Sequence, residues 1–363
     1  MARRVFLHIG APKTGSTYVQ DVLWNNRAAL QRHGLLLPGP RRAHDDAMTD
    51  LREVPWRDPD ATWTWDMLAG EAARWAGDVV ITNEALGGAT TEQAERAVRS
   101  LQPAEVHIVV AGRDLGRTFP SMWQQSIRER RVWRFETFLR DVEAGRFETF
   151  WELHTANRML RRWGDLVPPA QRHLVVVPPA GSPYEVLWQR FAGILGIPAG
   201  VCEPAAPTPN ASLGAAEVEV LRRVNQALGS RFPHRTPYQR VVQRHLVDAV
   251  LKKRPTEGKF GLGADRSGWV ADLAERQIRE LSSYPCRIAG ELAELRPTGM
   301  RAGTTPDELG DAELLHVAVE TIVGMLEHAD TLSRRPGKPL VVRLKRRLVD
   351  ELLMRPHRTR AID

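Results

Sequence analysis

Apolar residues in this chain fall into two kinds of pattern. Four short runs, at 5–9, 78–82, 105–111 and 172–177, are rich in β-branched residues and end at glycine, proline or a polar residue, which predicts buried strands. Between them apolar positions recur every three or four residues. Helices are predicted after the first strand, over about 90–101 behind the Thr90/Gln93 capping pair, through Ser121, Trp123 and Ile127 with Pro120 in the first turn, and over 135–143 and 150–163. Ser182-Pro183-Tyr184-Glu185 reads as a second capping box opening a helix to Leu195. Further helices are predicted at about 213–229, 237–253, 265–282, 306–328 and 340–354. Leu35-Leu36-Leu37 is a short apolar run ended by breakers, and 198–210 is a Pro- and Ala-rich loop. No internal repeat appears. Strands alternating with helices predict an α/β fold: a parallel β-sheet flanked by helices, with ligands bound at the carboxyl ends of the strands.

Three polar groups fall directly behind predicted strands: Lys13, Asn83-Glu84 and Arg113. Gly10-Ala-Pro12-Lys13-Thr14-Gly15-Ser16-Thr17 joins a strand to a helix. That geometry points backbone N–H groups and the helix dipole at one anion. The two glycines have the spacing of a nucleotide-triphosphatase loop, but Ser16 stands where that loop needs its lysine. The lysine lies inside the loop instead, and it is the only lysine before Lys252 in a chain that otherwise carries its positive charge on arginine. A solvated lysine on a surface turn is the plain alternative.

This Pro-Lys-Thr-Gly-Ser-Thr run resembles the 5′-phosphosulfate loop of sulfotransferases that use 3′-phosphoadenosine 5′-phosphosulfate (PAPS). Arg113 and Ser121, eight residues apart, resemble the same family's 3′-phosphate motif, and their chemistry suits it: a planar fork and a hydroxyl for phosphate oxygens. The likeness runs over about residues 4–300 and extends to Leu187-Trp-Gln-Arg-Phe-Ala, Gly196-Ile197 and Asn210-Ala-Ser-Leu-Gly, which look like bacterial, especially actinobacterial-type, members. It implies a P-loop-like sulfotransferase domain over 1–300 and a helical C-terminal extension over 301–363. It further implies that Lys13 contacts the phosphosulfate and stabilises the leaving phosphate, that Pro12, Thr14, Gly15, Ser16 and Thr17 cradle the 5′-phosphate, and that Tyr18 stands where cytosolic members stack adenine on tryptophan. The family's closing Arg-Lys-Gly segment is missing; Glu257-Gly-Lys259 is the nearest candidate.

The expected reaction moves a sulfo group from PAPS to a hydroxyl or amine of a carbohydrate, glycolipid or small-molecule acceptor, leaving adenosine 3′,5′-bisphosphate. No metal is expected, because Lys13 and backbone N–H groups hold the developing charge. Glu84 is the expected catalytic base and His44 the reserve candidate near the acceptor. A P-loop-type kinase and a non-catalytic PAPS- or polyanion-binding protein are the alternatives.

Composition narrows this only a little. The 363 residues carry a net charge of +7 and a pI of about 9.8, which suits an anionic ligand without choosing one. The charge run at 128–134 reads as a solvated face or a polyanion contact, and no nucleic-acid partner is expected. Trp56, Trp63, Trp65 and Trp75 are read mostly as core, with stacking on sugar rings as the alternative. Two cysteines form neither a disulfide framework nor a metal-ligand spacing. With a strand at the very start and no membrane-length apolar run, a cytoplasmic enzyme is expected. The basic, amphipathic stretch at 340–354 is read as a helix packed on the domain or a second subunit in a homodimer, with peripheral membrane contact as the alternative.

Overall fold

The computed structural model describes residues 1–204, 212–255, 260–298 and 305–334. The Glu257-Gly-Lys259 segment, the stretch about Asn210 and the tail at 340–354 lie outside them. Strand β1 (Arg4–Gly10) is the centre of the fold. It is followed by α1 (Ser16–Asn25), α2 (Arg27–Arg32) and the two-residue strand β2 (Leu35–Leu36). Helices α3 (Arg41–Leu51) and α4 (Thr64–Arg74) lead to β3 (Asp78–Thr82); α5 (Thr91–Ser100) leads to β4 (Glu105–Gly112). Then come α6 (Leu115–Arg128), α7 (Phe135–Glu143), α8 (Glu148–His154), α9 (Ala156–Met159) and β5 (Arg172–Val176). The remainder is α10 (Glu185–Leu195), α11 (Ala215–Leu228), α12 (Arg235–Tyr238), α13 (Ser267–Ser283), β6 (Arg287–Ala289) and α14 (Asp311–Arg334).

All pairings in the six-stranded sheet are parallel, in the order β2-β3-β1-β4-β5-β6. The α/β expectation holds. After β1 the chain moves to one side of the sheet, and after β4 to the other. The switch point therefore lies between β1 and β4, where a sheet of this kind opens a ligand crevice.

Strand periodicity divides β1 between two cores. Val5, Leu7 and Ile9 enter a core with Trp65 of α4 and Trp163. Phe6 enters the opposite core with Val19 of α1 and Phe191 of α10. Each such side chain, fully withdrawn from water, contributes roughly 1.5–3 kcal/mol. A third core is purely helical: Phe119 and Trp123 of α6, Phe135 of α7, Leu221 of α11 and Val270 of α13 meet beyond the sheet. Val220 of α11 holds Leu314 and Val317 of α14.

Several local expectations change. Asp114 caps α6 by accepting a bond from the Arg117 N–H at 2.9 Å, so the helix starts at Leu115 and Pro120 sits inside it. The Ser182 box does not form; α10 begins at Glu185 with Tyr184 as its cap. The Thr90/Gln93 box does form, in both directions. Thr155 is extended and divides the 150–163 helix into α8 and α9, with a wide turn following at 160–164. The 237–253 helix consists of α12, a wide-turn segment Gln239–Asp248 and a short turn. Trp65 is buried, Trp75 half-buried, and Trp56 and Trp63 exposed. No helix among the described residues is long and apolar enough to cross a membrane.

Candidate active site

The switch point between β1 and β4 is shaped by backbone before any side chain enters it. Gly10 takes φ 136°, and a β-carbon there would lie 2.6 Å from the Glu84 carbonyl oxygen. Only glycine allows the end of β1 to run so close to the loop after β3. Beyond it Lys13 (φ 67°) and Gly15 (φ 87°) are both left-handed and reverse the chain into α1. Thr14 Oγ1 donates to the Ala11 carbonyl at 2.6 Å and locks the turn. Gly15 caps α1 without any side-chain bond. The N–H groups of the first turn, beginning at Ser16, therefore have no side-chain acceptor, and they lie at the positive end of the helix dipole.

Arg113 stands at the end of β4, and its guanidinium Nη1 donates to the Lys13 carbonyl at 2.8 Å. The two motifs, a hundred residues apart, are thus joined directly. Burial, with Arg117 adding and Asp114 opposing, lowers the Arg113 pKa to about 10. Lys13 is lowered to about 8, first by burial, then by Arg128, Arg113 and Lys252, with Glu84 pulling the other way. Its ammonium draws no hydrogen-bonded partner from the described residues. A desolvated ammonium among other cations is a site that favours an incoming anion.

Arg128 and Lys252 were not recognisable as site residues in the sequence. Arg128 lay in a charge run that reads as a solvated face, and Lys252 inside a predicted helix. They meet at Asp248, whose Oδ1 is 2.8 Å from Lys252 Nζ and 3.8 Å from Arg128 Nη2. On α6, Arg117, Ser121, Gln125 and Arg128 recur at helical spacing, and all four are half-buried. Ser121 is thereby placed on the same helix face as Arg128. Arg117 is already engaged by Asp114 and by the Pro178 carbonyl at 2.9 Å.

The opposite wall is acidic. Glu84 follows β3, the neighbour of β1, and its Oε2 accepts from Gln20 Nε2 of α1 at 2.9 Å. Asp45 of α3 lies close by; burial, then Glu84 and Asp46, raise its pKa. The Asn83 amide donates to Asp45 Oδ1 at 2.7 Å, and its own oxygen accepts from the Ala85 N–H at 2.9 Å, fixing the turn that carries Glu84. Asp45 was missed; its only signal was the neighbouring His44.

His44 is buried and fully used by the fold. Its Nε2 bonds the Pro38 carbonyl at 2.8 Å, and its Nδ1 accepts from the Thr82 N–H at 3.0 Å. Burial lowers its pKa to about 4 despite both bonds. No ring nitrogen remains for an acceptor. Tyr18 is also turned inward, with its ring edge-on to Tyr184 at 5.6 Å and its hydroxyl unpartnered among the described residues. Tyr184 is the exposed member of that pair. Pro12 is half-buried and Thr17 is exposed at the loop surface. A cavity of about 240 Å³ lined by Leu115, Trp151 and Gln277 has none of the site residues in its walls.

Fold and site together define an α/β protein with a left-handed loop and a helix start free of side-chain caps at the switch point of a parallel sheet. No family model, no curated protein and no solved structure matches the chain. Among the described residues no group of three or more His, Cys, Asp or Glu side chains has metal-binding geometry.

Proposed function

We propose that this protein is a sulfotransferase that moves a sulfo group from PAPS to an acceptor hydroxyl or amine. The observation that carries the reading is the Arg113–Lys13 hydrogen bond, which joins the loop that would hold the 5′-phosphate to the strand end that would hold the 3′-phosphate. The uncapped start of α1 suits a 5′-phosphate, and Arg113 with Ser121 suits a 3′-phosphate.

In this reading the acceptor oxygen attacks sulfur and the bond from sulfur to the 5′-phosphate oxygen breaks. Adenosine 3′,5′-bisphosphate leaves with the bonding electrons, and the acceptor proton passes to the Glu84 carboxylate. Lys13 stabilises the charge that grows on the departing phosphate. Gln20 holds Glu84 in place, and His44 supports the loop without touching substrate. A kinase reading is weaker, because Ser16 replaces the lysine such a loop needs. Asp114, the carboxylate that directly follows Arg113, is taken by the α6 cap and by Arg117.

The test is an acceptor panel of sugars, glycolipids and phenols incubated with PAPS and followed by mass. Wild type should give a product heavier by one sulfo group, and Lys13→Ala should not. Phosphoryl transfer from ATP with magnesium, in place of sulfo transfer, would overturn the proposal.

A further inference from the structure

On α13, Leu273, Arg276, Gln277 and Glu280 follow the i, i+3, i+4, i+7 spacing of one helix face. All four line the cavity of about 240 Å³, and Glu148 and Trp151 of α8 with Asn157 and Arg158 of α9 line it as well. Thr155, extended between α8 and α9, turns the chain at its wall. Leu115 of α6, Thr155 and Gln277 are its buried members, whereas Glu148, Arg158, Arg276 and Glu280 are exposed and form its rim.

A helix face turned towards its neighbours is normally apolar. Here only Leu115, Trp151 and Leu273 of the ten lining residues are apolar. Two buried amide oxygens of the lining, Gln277 Oε1 and Asn157 Oδ1, have no hydrogen-bond partner among the described residues. Gln277 is only 6% exposed. The Asn157 amide is oriented by its Nδ2, which donates to Glu280 Oε2 at 2.8 Å, so its oxygen is the free end. Buried acceptors without donors are costly to a fold, and each calls for a group that donates.

Polarity, charge and size select that group. A pocket for a drug-sized ligand is mostly apolar and runs to about 300–1,000 Å³; this one is mostly polar and smaller. A cation would meet Arg158 and Arg276, and an anion Glu148 and Glu280, so a neutral ligand fits the balance. A hydroxyl both donates and accepts, so one kind of group serves the amide oxygens and the guanidinium N–H groups alike.

We propose that this cavity binds a single uncharged sugar ring. Its hydroxyls donate to Gln277 Oε1 and Asn157 Oδ1 and accept from the Arg276 guanidinium, with its C–H surface against the Trp151 indole. The inference stands on the cavity alone and does not depend on the sulfotransferase reading, since neither Lys13 nor Glu84 lines it.

Calorimetry on the full chain with glucose, galactose, mannose and N-acetylglucosamine tests this. At least one should bind in the millimolar range, as expected of a polar ligand of about a dozen heavy atoms, and Gln277→Leu should weaken it about tenfold or more. Arg276→Ala, on the exposed rim, should weaken it as well and serves where Gln277→Leu does not fold. No binding by any of the four sugars would mean that the cavity holds water only and would overturn the proposal. So would tighter binding of glucosamine or glucuronate, which puts charge first, or binding that the variants leave unchanged, which places the sugar elsewhere.

Discussion

Raising the pH from 7 to 9 should carry Lys13 through its titration and weaken the grip on the donor. Burial lowers the Lys13 pKa to about 8, with Arg128, Arg113 and Lys252 adding to the effect and Glu84 opposing it. A lysine with a lowered pKa is charged below that value and neutral above it. Roughly nine-tenths of the molecules carry the ammonium at pH 7 and roughly one-tenth at pH 9. The ligand's phosphates, with a second pKa of about 6, stay ionised across this window. If only the ammonium form holds the phosphate, affinity for adenosine 3′,5′-bisphosphate falls about tenfold, or about 1.4 kcal/mol. Isothermal titration calorimetry at three pH values and constant ionic strength reads this directly. Lys13→Arg should give a flat profile, because a guanidinium stays charged throughout. A wild-type affinity that is constant from pH 7 to 9, or a slope that survives Lys13→Arg, would refute the reasoning.

Other perturbations separate the roles of neighbouring residues. Glu84→Gln should lower turnover at least about a hundredfold with unchanged nucleotide affinity, whereas His44→Ala should lower the melting temperature through its two lost backbone bonds; near-normal turnover in Glu84→Gln would remove it as the base. Gly10→Ala forces a side chain onto a φ of 136° and a β-carbon to 2.6 Å from the Glu84 carbonyl, so denaturant unfolding should show a loss of about 1–3 kcal/mol, and an unchanged midpoint would contradict the close approach. His8, His44, His154 and His173 all have pKa values lowered to about 4, first by burial. The unfolded chain takes up these protons near pH 6.5 while the folded one does not, so stability falls as pH drops from about 6.5 towards 4, with His8 alone worth about 3 kcal/mol at the low end; a urea midpoint that holds steady over that range would count against it.

The readable parts of the fold were those buried on both sides. Strands β1, β3, β4 and β5 are continuous apolar runs because helices cover both faces of a parallel sheet. Strands β2 and β6 have two and three residues and lie at the edges of the sheet, too short for any periodicity to show. Helices α3 and α4 were hidden by the tryptophans, prolines and charges around them. Ser182 satisfied the capping pattern, yet the chain turns once more and α10 starts at Glu185. Pro120 suggested a helix start, but the Asp114 cap outweighed it.

The site divides in a similar way. Lys13, Glu84 and Arg113 were legible because each immediately follows a strand, and local order placed them at the crevice. Arg128 of α6, Asp45 of α3 and Lys252 of the short turn at 251–253 reach the Lys13–Glu84 neighbourhood through tertiary packing that no local spacing encodes. His44 shows the reverse error. A histidine near the right strand looked available, but its two nitrogens complete a bridge between Pro38 and Thr82.

In the proposed reading two loops, joined by the Arg113–Lys13 bond, hold the 5′- and 3′-phosphates of one adenylate. Calorimetry comparing adenosine 3′,5′-bisphosphate with adenosine 5′-monophosphate tests it most directly. The bisphosphate should bind more tightly by about 2 kcal/mol or more, the scale of a charge-assisted contact, and Arg113→Ala should erase that difference. Equal binding of the two nucleotides by the wild-type protein would contradict the account.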